Sequence, residues 1–259
     1  MGKWLRFPTA DKPKHKNGAV KFMGDHGFVQ NHATMQEVAL WRAEGVSKIA
    51  QQQIQRVANV AAIEVRERQA KAAREAAQLL SECELTRGHE YMVRKGFAEE
   101  YVNTIEIDGQ SVVVIPMRAK GQIVGVQKIW ADGTKKFIFG QQCSFAEFVF
   151  GKTGIHVLCE GYATGLSAFQ AFSRLKRPVV VHVCFSAGNM KKVASGLPGG
   201  LVVADNDASK TGENVAKEIG WPFWMSDAVG EDANDYLMRK GLFALTEGLK
   251  KVIREGGLR

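Results

Sequence analysis

At 259 residues the chain has room for one large domain or two small ones. Its apolar share of 45% suits a packed core and excludes a wholly disordered chain. The formal charge of +8 favours an anionic partner, and no apolar run is long enough to span a bilayer or to form the core of a secretion signal, so a cytoplasmic setting with no membrane role is expected.

Basic charge is concentrated near the start, where residues 1 to 60 hold nine Lys and Arg against four acids. Residues 1–45 read as a basic N-terminal module. GKWLRF and GAVKFMG are predicted short strands around the basic turn KPKHKNG, and Phe28, Val29 and Trp41 are predicted to close a small core. Lys3, Trp4, Arg6, Lys14, Lys16 and Lys21 interleave cations with an aromatic, which suits phosphate contact and base stacking on single-stranded nucleic acid. The plainer alternative is a solvated basic surface.

Residues 46–84 read as a helical connector. From 46 to 83 there is neither Pro nor Gly, and Glu64–Arg68 and Glu67–Lys71 form favourable i,i+4 pairs, so one long helix or two joined ones are predicted. Apolar a and d positions are too few to favour a coiled coil.

Residues 85–150 form the next module. HEYMVRKGF reads as a helix ending at Gly96, followed by strands over SVVVIPMR, GQIVGVQKIW and KKFIFG, with a tight hairpin at Ala131–Gly133. That hairpin sets Lys128 on one strand and Lys135 and Lys136 on the next. These three, with Arg118, Arg94 and Lys95, are candidates for holding a phosphate or a nucleic-acid backbone. Lysine on an exposed strand also guards an edge against aggregation.

Residues 151–259 alternate strand and helix. The predicted strand Ile155–Cys159 ends at Glu160, and a helix follows from Tyr162 to Leu175. A strand from Val179 to Phe185 precedes a short helix from Ala187. The strand Leu201–Ala204 runs into Asp205, Asn206 and Asp207. TGENVAKEIG reads as a helix, WPFWM as a fourth strand, and DANDYLMRKG as a helix start and stop. Such alternation implies a parallel sheet with right-handed crossovers, whose ligands bind beyond the carboxyl ends of the strands. Glu160 at one such end and Asp205 and Asp207 at another are a donor set for hard divalent cations held against phosphate oxygens. Strand alternation would set Asp205 and Asp207 on one face, with Asn206 on the other. The competing reading makes the two aspartates, and Asp232 further on, helix caps. Gly161 either leaves room for close approach or simply turns the chain. Lys210 is a weaker phosphate candidate.

The four cysteines, Cys83, Cys143, Cys159 and Cys184, stand far apart, with no CxxC and no zinc spacing. Cys159 and Cys184 lie in apolar runs and read as core residues.

EGYATG, an apolar strand and then ADND resemble a Toprim domain, the metal-binding domain of DnaG-type primases, topoisomerases and some nucleases. KGQIVGVQKIWADGTKKFIFG resembles the basic segment that precedes Toprim in bacterial primases, and DANDYL resembles the acidic segment of plasmid and phage primases. The likeness is greatest to TraC-like and phage-type primases and covers roughly residues 85 to 245. It implies an α/β fold: a Toprim-like parallel sheet flanked by helices, preceded by a small mixed α+β primase-type subdomain, a long helix and a short basic N-terminal module. Glu160 falls on the family glutamate, Asp205 and Asp207 on its DxD pair, and Asp232 and Asp235 on its late acids. Glu160, Asp205, Asp207 and Asp232 would hold Mg2+ or Mn2+. Bacterial primases usually begin with a zinc ribbon, but His15, His26 and His32 have no cysteine near them, so no zinc is expected. The implied activity is DNA-directed synthesis of short RNA primers on single-stranded DNA from nucleoside triphosphates, in a bacterial host cell. No Walker A motif is present, so a replicative helicase would act in trans. A Toprim nuclease and a non-catalytic DNA-binding replication accessory are the alternatives.

Overall fold

Alternating apolar and polar residues in the first forty positions build an antiparallel sheet. The computed structural model describes residues 2–24, 26–32, 34–35, 38–42 and 48–258, in two compact units, Met1–Glu67 and Arg68–Arg259. The first unit contains a four-stranded meander in chain order: β1 (Trp4–Phe7), β2 (Gly18–Phe22), β3 (His26–Asn31) and β4 (Ala39–Arg42). The sequence pattern shows only the first two, because polar residues interrupt the later runs. Ala19 and Phe28 are buried. Trp41, expected in the core, is 48% exposed, because the register sets it opposite Gly27 on the open face that also carries Phe22.

Helix α1 (Lys48–Ser81) is continuous, the simpler of the two predicted forms. The predicted start at residue 46 and the module boundary beside it lie outside the described residues. Near its C-terminus Ala72 and Ala76 are buried against Val114, Val126 and Ile138; two alanines on one helix face let the backbone approach a sheet closely.

In the second unit, β5 (Glu84–Thr86), β6 (Val102–Ile107), β7 (Gln110–Ala119), β8 (Gln122–Trp130) and β9 (Lys135–Phe137) form an antiparallel sheet in that order. The short helix α2 (Glu90–Arg94) precedes β6 and ends before Gly96, whose φ of +81° suits a residue without Cβ. The Ala131–Gly133 hairpin forms as the sequence indicates. Asp132 accepts hydrogen bonds from the Thr134 N–H and hydroxyl, both at 2.8 Å, and Gly133 takes φ +89°. Strands β5 and β6 were not read from sequence. They are mixed in polarity because one of their faces is wet.

The second sheet has the order β10-β12-β11-β13-β14, with β10 (Phe148–Phe150), β11 (Ile155–Cys159), β12 (Val179–Val183), β13 (Leu201–Ala204) and β14 (Phe223–Met225). All pairings are parallel except that of β10, which runs antiparallel to β12 at the edge. Helices α3 (Tyr162–Arg174) and α6 (Ala233–Glu255) cover one face, and α4 (Ala187–Ala194) and α5 (Thr211–Ile219) cover the other. Strand alternation assigns the faces: Val157, Cys159, Leu201 and Val203 pack under α3 and α6, whereas Leu158, Val202 and Ala204 pack under α4 and α5. Helix α6 breaks at Gly241, φ +83°, where the sequence reading stops its helix. The two sheets share a core in which Tyr91, Met92, Phe97, Val113, Ile115 and Ile129 meet Tyr162, Ala163 and Leu166 of α3. That core fixes the antiparallel sheet against the first helix after Glu160. Cys159 and Cys184 are buried and form no disulfide. No helix among the described residues is long and apolar enough to cross a membrane.

Phe172 is fully buried between α3 and the parallel sheet. Phe172→Ala is expected to lower the unfolding free energy by about 3–5 kcal/mol, read as a drop in the urea midpoint. Ile63→Ala on the exposed side of α1 should change it by less than about 0.5 kcal/mol.

Candidate active site

Strands β11 and β13 are parallel neighbours, with Val157 opposite Leu201 and Leu158 opposite Val202. Their carboxyl ends therefore deliver Glu160 and Asp205 to adjacent positions. A bridge between Asn206 and Glu231 brings the start of α6 alongside: Asn206 N donates to Glu231 O at 3.0 Å, and Asn206 Nδ2 donates to Ser226 O at 3.0 Å. This stitching gives Asn206 a structural use and brings Asp232 within electrostatic reach of Asp205.

The acids are not equivalent. Burial, then Glu160 and Asp232, push Asp205 up to about 7, against a partial offset from Lys135. Its Oδ1 is buried and accepts no hydrogen bond. Burial also raises Glu160, aided by Asp207, while the Ala187 N–H and Lys135 oppose the rise. Asp207 departs from this pattern. Burial acts to raise it too, but the Ser209 hydroxyl and the Gly212 and Thr211 N–H groups outweigh that and hold it below the usual range. Its Oδ1 accepts from Ser209 Oγ and from Thr211 N at 3.2 Å, and its Oδ2 from Gly212 N at 3.1 Å. It thus caps the first turn of α5, as the competing sequence reading had it. Strand alternation does not govern the Asp205/Asp207 pair, because β13 ends at Ala204.

Asp232 also caps a helix. Its Oδ1 accepts from Asp235 N at 2.8 Å, and Asp235 Oδ2 accepts from Asp232 N at 3.3 Å, a reciprocal box at the start of α6. Asp235 is drawn away by Lys95 Nζ at 3.1 Å. Among the described residues no group of three or more His, Cys, Asp and Glu side chains is placed to hold a metal ion.

The basic candidates divide by sheet face. Lys128 pairs with Lys136 and with Val114, on the side of the sheet that packs against α1. Lys136 lies over the Trp130 ring at 4.9 Å. Lys135 pairs with Ile129, on the opposite side, which packs against α2 and α3. It is therefore Lys135 that acts on both Glu160 and Asp205. The twin lysines look alike in sequence; the two-residue period of the strand separates them. The Arg118 guanidinium donates to Gly121 O at 3.0 Å, in the turn between β7 and β8. Lys210 is exposed in the loop after Asp207, with φ +56°.

A cleft of about 320 Å³ reaches Asp232 and is lined also by Arg94, Lys95, Asp132, Lys135, Gly161 and Thr164. Thr164 was missed in the sequence; it sits one turn into α3, 1% exposed, with a hydroxyl that has no hydrogen-bond partner. Gly161 is the N-cap of α3 with φ −103°, so its backbone does not require glycine. A Cβ there would meet Thr164 Oγ1 at 3.4 Å and Lys135 Nζ at 3.9 Å, ordinary contacts. Neither turn geometry nor packing explains the absent side chain, which leaves open space between a cation and a hydroxyl at a helix N-terminus. A larger groove of about 880 Å³ runs past Glu82, Glu84, Glu90 and Glu106, walls that repel an anionic ligand.

In the N-terminal sheet, Trp4 pairs with Lys21 and shares a face with Arg6, whereas Leu5, Phe7, Phe22 and Trp41 lie on the other face, 37% to 63% exposed. Lys3, Lys14 and Lys16 are exposed. Phe22 and Trp41, whose rings are 6.0 Å apart, are aromatics that the sequence reading did not assign to this surface.

No protein-family model matches the sequence, and no curated protein matches it. A chain from a solved complex of bacteriophage T7 lagging-strand DNA polymerase with primase domains of two gp4 subunits, bound to an RNA/DNA hybrid and dTTP, is similar at 18% identity. The match covers 67% of this chain and 90% of that one, with a TM-score of 0.45, a level that decides nothing about the chemistry.

The raised Asp205 has a signed consequence. An unfolded aspartate titrates near 3.8 and the folded one at about 7, so the folded chain holds an extra proton between those values. Stability without metal is therefore highest below about pH 4 on this account and falls as pH rises to 7. Asp205→Asn should flatten that fall and raise the unfolding free energy at pH 8 by up to about 4 kcal/mol, measured by melting in chelator.

Proposed function

We propose that this chain is a Toprim-type DNA primase of plasmid or phage kind, joining ribonucleotides on a single-stranded DNA template. The observation behind this reading is the meeting of Glu160, Asp205 and Asp232 with Lys135 at the carboxyl ends of adjacent parallel strands, around a buried carboxylate oxygen that has no partner. The ordered likeness of EGYATG, ADND and DANDYL to the Toprim family supports the same reading.

The residues suit a hydrated divalent cation, magnesium or manganese. Magnesium keeps several waters and takes one or two carboxylates, so an open set fits it better than a cage. Asp205 and Asp232 would hold it; Asp207 joins only by releasing part of its cap on α5. A cation bound there would supply neutralisation of charge on the transferring phosphoryl group. Lys135, Arg94 and Lys95 hold the triphosphate in the cleft at the N-terminus of α3, where backbone N–H groups favour anions. The Thr164 hydroxyl donates to a phosphate oxygen, which gives its buried proton a partner. Gly161 leaves the approach open. Glu160, whose proton affinity is raised by burial, accepts the proton of the attacking 3′-hydroxyl. Lys3, Trp4, Arg6, Lys14, Lys16 and Lys21 bind the template strand.

The decisive experiment supplies mixed single-stranded templates, labelled nucleotides and magnesium or manganese. Short new products are expected from the wild type and none from Asp205→Ala. Metal-dependent shortening of the template without synthesis would instead establish a nuclease. Tight DNA binding with neither product would establish an accessory protein. Gly161→Ala should melt within about a degree of wild type yet lose at least tenfold in synthesis, since a Cβ fits the fold but fills the approach. Unchanged synthesis would remove Gly161 from the site.

A further inference from the structure

The phosphate chemistry leaves one feature of the rim unused. Phe137 shares the β9 face of Lys135, two residues away, and is 42% exposed; Lys135 itself lines the cleft. Its ring meets that of Phe185 edge to face, 6.5 Å between centroids and 86° between planes. Phe185 follows β12 with φ +64°, a left-handed conformation that is costly for a bulky residue. Two bonds hold that turn: Phe185 N to Glu160 O at 2.9 Å, and Cys184 N to Cys159 O at 2.8 Å. Phe185 also packs against the core under α3 and α6 and against the core shared by the two sheets. The backbone of Glu160 therefore fixes Phe185, and Phe185 braces Phe137.

A strand advances about 7 Å over two residues, comparable with the span from a nucleotide's phosphate to its base. A nucleotide with its phosphate at Lys135 and its long axis along β9 would bring its base to Phe137. We propose that Phe137, braced by Phe185, stacks a nucleobase and so positions the nucleotide whose phosphate lies at Lys135. The base belongs either to the nucleic-acid strand or to the incoming nucleoside triphosphate. Stacking uses the π face common to all bases, so the contact is indifferent to sequence. Neighbouring Phe139 is more exposed, at 86%, but its ring is already covered on one side by the Arg68 guanidinium at 5.8 Å. The inference rests on the nucleotidyl-transfer reading of the acids for its place in a reaction, but not for the stacking itself.

The test uses the full chain with magnesium and two fluorescent probes: single-stranded oligonucleotides with 2-aminopurine at successive positions, and 2-aminopurine ribonucleoside triphosphate. Quenching at one oligonucleotide position assigns the base to the strand; quenching of the free nucleotide assigns it to the substrate. Phe137→Leu should abolish that quench and weaken the same probe about tenfold, whereas Phe137→Tyr should retain both. Should the leucine variant melt early, an abasic residue at the quenched position makes the same measurement on the wild type, with the same loss expected. An unaltered quench and affinity in a normally melting Phe137→Leu, or wild-type indifference to the abasic residue, would overturn the proposal. Asp205→Ala separates the two ideas: if it leaves synthesis intact while Phe137 still quenches, the catalytic reading fails and the stacking contact stands.

Discussion

Buried like charge is the constraint that the second unit is built around. Asp205 is largely withdrawn from water, faces Glu160 and Asp232, and keeps one oxygen without any donor. A fold meant only to be stable would place an apolar or hydrogen-bonded group there, because an unpaired buried carboxylate is among the costliest arrangements in a protein. Surrounding structure tolerates it. The parallel sheet is packed on both faces, and the Asn206–Glu231 bridge ties the acidic loop to the start of α6.

The same arrangement explains why the neighbouring acids divide into different uses. Asp207 and Asp232 both cap helices, so the loops that deliver acids to the site are also helix starts. The cap does not remove Asp232 from its neighbours: one oxygen accepts the Asp235 N–H while the side chain still acts on Asp205. Asp207 is more fully committed, with three donors upon it. Gly212 is part of this device. A Cβ there would lie 2.3 Å from the Asp205 carbonyl oxygen, so only glycine lets the first turn of α5 close over the loop.

Opposite the acids, the antiparallel sheet supplies the cation and the aromatic ring through the strand's period of two. Lys135 and Phe137 face the parallel sheet; Lys136 turns to Trp130 and the α1 side. The shared core between the sheets, with Tyr91 and Ile129 against Tyr162 and Leu166, sets the separation across the cleft. Burial pushes the Tyr91 phenol up to about 12, so at neutral pH it lines the cleft uncharged.

The sequence by itself determined the strand–helix alternation after residue 151, the long helix, the central hairpin and the break near Gly241, because each is written in local periodicity or turn residues. It did not determine β3 through β6 or β10, which are short, mixed in polarity and paired only through distant partners. Nor did it separate Lys135 from Lys136, recognise the buried hydroxyl of Thr164, or show that Trp41 is half-exposed. Those outcomes depend on register and on which face of a sheet meets another element. Register is fixed by long-range pairing and packing, and a shift of one residue exchanges every side chain between the two faces.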